Sequence, residues 1–437
     1  KLRGQFAYAI YDQQSGELHL FRDRMGILPL YYYADSHVFA FASEIKALLP
    51  LIDRPEVDAD SLHEYLAHRA VPSPHTLIRG VHKIPPGYHL VVAASGRLTL
   101  SPFWQLAVQP SGRSVTDSEA VSLIDDALRL SVREALVADV PVGVYLSGGV
   151  DSSVLTAITR RENPDRILHT FGASFNDERY DESIWARKVA DISGATHHEV
   201  VVTADDFMNN WAKLSWHRDG PLSEPADVAI FRLAQLAREQ VKVVLSGEGS
   251  DELFGGYPKY AFAAATRWLG SFPSAGLLSR LERSLPASKA KLRIAIRALA
   301  ERGHDERMRA WFAPFNVAER RQLTGRPASR QTPAAYRTGR GDALRRMLYA
   351  DTRVWLADNL LERGDRMSMA ASLETRPPFL DYRLVELAFD LPSGVKTRGR
   401  TTKWVLKEVA RKYLPNEVVD RPKMGFKVPL DRGFRHG

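Results

Sequence analysis

Short apolar alternations open the chain: Phe6, Tyr8 and Ile10, then Leu18 and Leu20, then Tyr31 and Tyr33, then Val38, Phe39 and Phe41. A period of two places alternate side chains on one face, so these stretches predict half-buried strands. Turn-forming residues punctuate them at 12–16, at Asp35-Ser36, at Pro85-Pro86-Gly87 and at Ser95-Gly96, and a helix is expected near 61–67. The first hundred residues therefore predict a largely antiparallel β module, with 102–116 as the linker that follows. Beyond Ser118 the rhythm changes. Apolar runs at 142–146, 167–175, 198–202 and 241–245 alternate with amphipathic runs at 152–161, 183–193 and 226–240, each opening near an acid or hydroxyl residue suited to an N-cap. That alternation predicts a parallel sheet with crossover helices. From Phe262 onward the pattern is mainly helical, with apolar-periodic runs at 344–361 and 404–413.

Composition refines this picture. A chain of 437 residues is too long for one ordinary core, and two domains are expected. No apolar run approaches the roughly 20 residues that a membrane-spanning helix needs, so a soluble, cytoplasmic protein without a membrane partner is expected. The net charge of +8 disfavours basic partners. Much of that charge lies in 326–346, which lacks the stacking aromatics of a nucleic-acid surface and reads as a solvated, partly mobile segment. The sequence holds no cysteine, which excludes disulfides, thiolate metal sites and cysteine nucleophiles among these residues. Lys1 opens the chain without a signal-peptide pattern, and 434–437 shows no helix stop, so both ends read as cut from a longer chain.

The candidate chemistry lies at strand ends, where ligands bind in parallel sheets. After the run 142–146 come Ser147, Gly148, Gly149, Val150, Asp151, Ser152 and Ser153, leading into a helix. Small residues there let backbone N–H groups approach a phosphate, and the helix N-terminus adds partial positive charge. Alone, a Gly-Gly before a helix is as readily a tight turn. A second strand end, however, leads into Ser246-Gly247-Glu248-Gly249-Ser250-Asp251-Glu252-Leu253-Phe254-Gly255-Gly256-Tyr257. Facing one cleft, Asp151 and Asp251 can share a divalent cation that bridges nucleotide phosphates; their alternative role is to cap the helices that follow.

The Ser-Gly-Gly-x-Asp-Ser run resembles the pyrophosphate loop of the N-type ATP pyrophosphatases, and the run from Ser246 to Tyr257 resembles asparagine synthetases. The resemblance implies that Ser147, Gly148, Gly149, Asp151 and Ser152 grip the pyrophosphate of ATP. It implies amino-acid and metal–pyrophosphate contacts for Glu248 and Asp251, adenine recognition at Ala173 and Ser174, and flanking of the nucleotide by Leu146, Ser246 and Gly247. Tyr180-Asp181-Glu182 is also similar to the family, but a helix cap explains it as well. Asp365-Arg366-Met367-Ser368-Met369-Ala370 and Leu373-Glu374-Thr375-Arg376-Pro377-Pro378-Phe379-Leu380-Asp381 resemble the family's signature in its helical half. Asp365, Glu374 and Arg376 either orient substrate or, for the last two, form a structural ion pair holding the turn at Pro377-Pro378. Lys403 lies in Thr402-Lys403-Trp404, and Arg421-Pro422-Lys423-Met424-Gly425-Phe426 resembles the Arg-x-Lys-x-x-Phe element of asparagine and β-lactam synthetases. Its Lys423 would stabilise charge on the phosphate oxygens as adenylation proceeds, the alternative being an ordinary surface lysine.

In the first hundred residues, stretches 4–12, 22–31 and 42–47 resemble the later half of a class II glutamine amidotransferase domain. The family's nucleophile there is an amino-terminal cysteine, which this sequence lacks.

The expected fold is a truncated Ntn-type, β-rich glutaminase domain over 1–105 followed, over 117–437, by an α/β domain. The latter is a doubly wound parallel-sheet ATP pyrophosphatase, adenine nucleotide alpha hydrolase-like, with a helical carboxyl-terminal extension. The resemblance implies a carbon–nitrogen ligase that uses ATP and Mg²⁺, with aspartate and glutamine or ammonia as small-molecule partners, and a homodimer. Catalysis is assigned to Lys423, Glu248, Glu374 and Asp251, and substrate binding to Glu248, Arg376 and Asp365. Two alternatives stand beside it: an amidotransferase or β-lactam synthetase acting on another carboxylate, and a non-catalytic nucleotide-binding regulator.

Overall fold

The computed structural model describes residues 2–422 except 110–111, 113, 176–181, 261–274, 287–288, 302–303, 327–332, 338–340 and 400. The chain forms two compact units, one from Gln5–Gln109 with Gly255–Leu360, the other from Lys1–Gly4, Pro110–Phe254 and Leu361–Gly437. The division expected at 105 and 117 follows the order of the chain; these units do not, because the helical stretch after Phe254 groups with the amino-terminal strands.

In the unit that holds Gln5–Gln109, strands β1 (Ala7–Asp12), β2 (Glu17–Arg22), β3 (Tyr31–Ala34), β4 (Phe39–Ala42), β5 (Val81–Lys83), β6 (Tyr88–Val92) and β7 (Leu98–Pro102) form two antiparallel sheets. Their orders are β1-β2-β6-β7 and β4-β3-β5, as the alternating pattern predicts. Leu20, Leu30, Ile84, Leu90 and Val92 make one core cluster between them. Helix α1 (Ala59–His68) starts where the Asp58 carboxylate accepts the Ser61 N–H at 2.8 Å.

Buried polar bonds explain why residues 255–360 belong here. Arg309 Nη2 donates to Glu64 Oε1 at 3.2 Å, and the Ser73 N–H donates to Asp358 Oδ2 at 2.8 Å. Tyr336 Oη lies 2.6 Å from His68 Nε2 and is 1% exposed, so this part of 326–346 is packed, contrary to the solvated reading. A tyrosine among the arginines supplied the apolar ring that packing needs. The run 344–361 is helical as expected, but only Ala343–Ala350 is α-helical, and Asp351–Leu361 is wound as a π-helix.

The other unit holds the parallel sheet. Its strands are β8 (Val142–Tyr145), β9 (His169–Phe175), β10 (Thr196–Val202), β11 (Val243–Leu245) and β12 (Glu374–Arg376), in the order β10-β9-β8-β11-β12. All neighbours pair parallel. The chain therefore winds outward from β8 to β10, returns to the opposite edge of β8, and continues to β12, which is the doubly wound expectation. Connecting helices are α2 (Asp117–Ala135), α3 (Val150–Glu162), α4 (Ser183–Ile192), α5 (Ala204–Arg218) and α6 (Ala226–Arg238). One face of the sheet is sealed by Phe171 and Val244 packing with Leu233, Ala234 and Ala237 of α6. Strand β12 was not legible as a strand: three residues give no period to read. Among the described residues no helix is long and apolar enough to cross a membrane.

Candidate active site

Winding reverses between β8 and β11, so a crevice is expected at the carboxyl ends of these two strands. Both sequence-predicted loops lie there. After β8, Gly148 adopts φ +71°, and a Cβ on it would stand 2.7 Å from the backbone of Trp185 and Ala186. Only glycine permits this turn against α4. Gly149 is the N-cap of α3 and offers no side chain to its first amides. The loop is held from within: the Ser147 N–H donates to Ser152 Oγ at 3.2 Å, and Ser152 Oγ donates to the Gly149 carbonyl at 3.2 Å. The helix N-terminus is thus free of a side-chain cap, an arrangement that suits an anion.

Strand β9 pairs with β8 as far as Tyr145 and Phe171, then runs on to Phe175. Ala173 and Ser174 consequently stand past the end of β8, near Leu146, whose N–H donates to the Phe171 carbonyl at 2.8 Å. This places them beyond the paired end of β8.

On the other side Ser246 is buried and its N–H donates to the Arg376 carbonyl at 2.9 Å. A Cβ on Gly247 would lie 3.2 Å from the Asp151 Cβ, so the two loops are in close contact. Ser250 Oγ donates to Asp151 Oδ1 at 2.7 Å. Lys403 Nζ lies 2.6 Å from Asp151 Oδ2 and 2.6 Å from Asp251 Oδ1. Burial alone would lower the lysine pKa, but the two carboxylates outweigh it and raise it. The convergence of Asp151 and Asp251 on one point fits a hard divalent cation. Among the described residues no group of three or more His, Cys, Asp or Glu is arranged to hold a metal, so phosphate oxygens and water would have to complete such a site.

Glu248 lies against α7 (Glu362–Met369). A Cβ on Gly364 would stand 2.8 Å and 2.9 Å from its two carboxylate oxygens, so the missing side chain makes room for the carboxylate. Burial pushes the Glu248 pKa up to about 7; Arg363 opposes that rise and Asp365 adds to it. Asp365 therefore belongs near Glu248. Arg363 is anchored by Glu224 at 2.5 Å. Burial, and after it the charge of Glu248, also raise the pKa of Tyr145 at the end of β8.

Glu374 and Arg376 meet each other. Arg376 Nε donates to Glu374 Oε1 at 2.6 Å, and Nη1 donates to the Ala135 and Val137 carbonyls at 2.8 Å each. A guanidinium on carbonyls at the carboxyl end of α2 is a helix stop, so the geometry favours the structural ion pair. Lys423 lies outside the described residues. Two positions earlier, Arg421 Nη2 donates to Glu182 Oε1 at 2.7 Å and would be 3.7 Å from a Cβ on Gly149, bringing the chain to the phosphate loop.

Sequence reasoning gave no role to Lys403, Arg363, Gly364 or Arg421. Lys403 carried a weak local signal, a cation directly before an amphipathic helix, and Arg421 stood in the Arg-x-Lys-x-x-Phe element that drew attention to Lys423.

Residues 123–437 match the family described as asparagine synthase, and residues 1–104 match the one described as glutamine amidotransferase domain. The chain is 32% identical to asparagine synthetase [glutamine-hydrolyzing] 1 of Bacillus subtilis, across 98% of this chain and 68% of that protein. It is 35% identical to a putative asparagine synthetase [glutamine-hydrolyzing] of Mycobacterium bovis, across 100% of this chain and 69% of that protein. Amidase chry2 of Gibberella zeae is 27% identical, across 98% of this chain and 70% of that protein.

Proposed function

This chain belongs to the asparagine synthase family, and from that premise we propose that it is the ATP-using part of an asparagine synthetase, joining nitrogen to the side-chain carboxylate of aspartate. The observation that carries the reading is the crevice between β8 and β11. There an uncapped helix N-terminus, two converging carboxylates and a glutamate with a raised pKa lie within one site.

The backbone amides around Ser147, Gly148 and Gly149, with the N-terminus of α3, receive the pyrophosphate portion of ATP. Leu146, Ala173, Ser174, Ser246 and Gly247 flank the adenosine, where strand-end backbone groups can meet the edge of the base. Asp151 and Asp251 hold Mg²⁺, which when bound neutralises phosphate charge. Glu248, ionised, receives the ammonium group of aspartate and sets its side-chain carboxylate toward the α-phosphorus. A carboxylate oxygen attacks that phosphorus, the bond to the bridging oxygen breaks, and pyrophosphate leaves as β-aspartyl-AMP forms. Lys423 would stabilise the negative charge on the phosphate oxygens, more in the transition state than before it. Ammonia then attacks the acyl carbon, loses a proton and expels AMP, leaving asparagine. Residues 1–104 match a glutamine amidotransferase domain, which supports glutamine as the nitrogen donor, although this sequence has no cysteine to act as its nucleophile.

The test is pyrophosphate release from ATP, Mg²⁺ and ammonium, with aspartate and with other carboxylates run in parallel. Aspartate-dependent release is expected, and Asp151→Ala and Lys423→Ala should each lower it on the order of 10²–10³-fold. Release with another carboxylate and none with aspartate would overturn the substrate and keep the chemistry.

A further inference from the structure

The lysine between the two carboxylates has a consequence for metal binding. The Lys403 side chain is 3% exposed, and its Nζ also lies 3.2 Å from Ser250 Oγ. Its backbone is left-handed, with φ 53° and ψ 37°, a conformation costly for a residue with a side chain. The surroundings impose it. The Trp404 N–H donates to the Lys396 carbonyl at 2.8 Å, and Val405 and Leu406 of the helix that starts at Trp404 are fully buried. The ammonium is delivered from a fixed backbone to the point on which Asp151 and Asp251 converge.

We propose that Lys403 is a resident cation: without nucleotide its ammonium fills the place between Asp151 and Asp251, so that a divalent ion enters only in company with a polyphosphate. This rests on the nucleotide site proposed above. Both carboxylate oxygens stand 2.6 Å from Nζ, and a magnesium-sized ion needs oxygens at about 2.0–2.1 Å. The two cations cannot share that point. A metal ion arriving alone must push a buried ammonium off both its partners, leaving an uncompensated buried charge. When a triphosphate arrives with the metal, its oxygens offer the ammonium a new anionic partner, and the exchange becomes favourable. Metal and nucleotide are thereby coupled, each raising affinity for the other by the same factor.

The test uses the full chain and Mn²⁺, whose binding is read by electron paramagnetic resonance, with and without α,β-methylene-ATP. In the wild type the analogue should tighten Mn²⁺ binding roughly 10- to 100-fold. Lys403→Met should tighten binding of Mn²⁺ alone by about tenfold or more, and Asp151→Asn added to it should abolish the gain. Lys403→Gln serves if the methionine variant fails to fold, which a thermal melt reports. Wild-type Mn²⁺ affinity that does not change with the analogue, while the analogue itself binds, would overturn the resident-cation role and leave the nucleotide site standing. A folded wild type that never binds the analogue would overturn both.

Discussion

Each unit contains a buried ion cluster, and the two are placed differently. Around Glu64, Arg309 bridges Glu64 and Glu306, while Arg320 also pairs with Glu306 at 2.9 Å. Two acids face two bases, and His68 closes the group at 3.2 Å from Glu64. Around Lys403, the carboxylates of Asp151 and Asp251 meet at one ammonium. The first cluster ties α1 to the helical stretch after Phe254. The second lies at the switch point of the parallel sheet, beside the uncapped N-terminus of α3. What separates them is position: a cluster among helices serves the fold, and one at the strand ends of a parallel sheet stands where such sheets bind ligands.

The comparison can be broken by removing one acid from each cluster. Glu64→Gln removes the buried carboxylate that Arg309 and His68 share and should cost about 3–5 kcal/mol in urea unfolding. Asp151→Asn leaves Lys403 paired with Asp251 and should change stability by less than about 1 kcal/mol, although pyrophosphate release collapses. Comparable losses of stability from both would end the distinction. Acid sharpens it. Burial alone would raise the Glu64 pKa, but His68 and Arg309 bring it down to about 2. A carboxyl with a lowered folded pKa stabilises above its ordinary value of 4.5, and that contribution is lost as pH falls toward 2. Glu64→Gln should flatten this acid limb.

Glu248 behaves in the opposite sense. Its pKa of about 7 means that the protonated form favours folding, an advantage present below 4.5 and lost as pH rises through 7. Glu248→Gln should therefore be more stable than the wild type at pH 8 and little different at pH 4.5, by urea midpoints. It should also remove the improvement in aspartate KM expected as pH rises through 7. The smallest effect belongs to Arg376→Met, about 1 kcal/mol of stability with aspartate KM unmoved. A raised KM with stability intact would restore Arg376 to substrate binding.

The parts of the fold that were legible are those whose signals are local. The four strands at 142–146, 167–175, 198–202 and 241–245 appear within a few residues of expectation, because apolar runs bounded by helices leave few alternatives. The two loops that follow β8 and β11 could be read because glycines, hydroxyls and acids at fixed spacing meet a phosphate through their own backbone. Lys403 could not be placed, since it stands 252 residues from Asp151 and only folding joins them. Gly364 was silent because its role is the absence of a side chain beside Glu248. The two roles left open for Arg376 could not be told apart in the sequence, because nothing in its neighbours announces the carbonyls of Ala135 and Val137. The grouping of Gly255–Leu360 with the amino-terminal strands was hidden for the same reason: its bonds to Glu64, His68 and Ser73 are tertiary.

That grouping constrains how the protein is made. Glu64 leaves the ribosome 245 residues before Arg309, an interval of about 10–50 s at ordinary rates of synthesis. Throughout it the nascent β module exists without the helices that neutralise its buried carboxylate, so it must wait, exposed to aggregation and to proteolysis. Severing the gene between 105 and 117 would make that waiting permanent for both pieces.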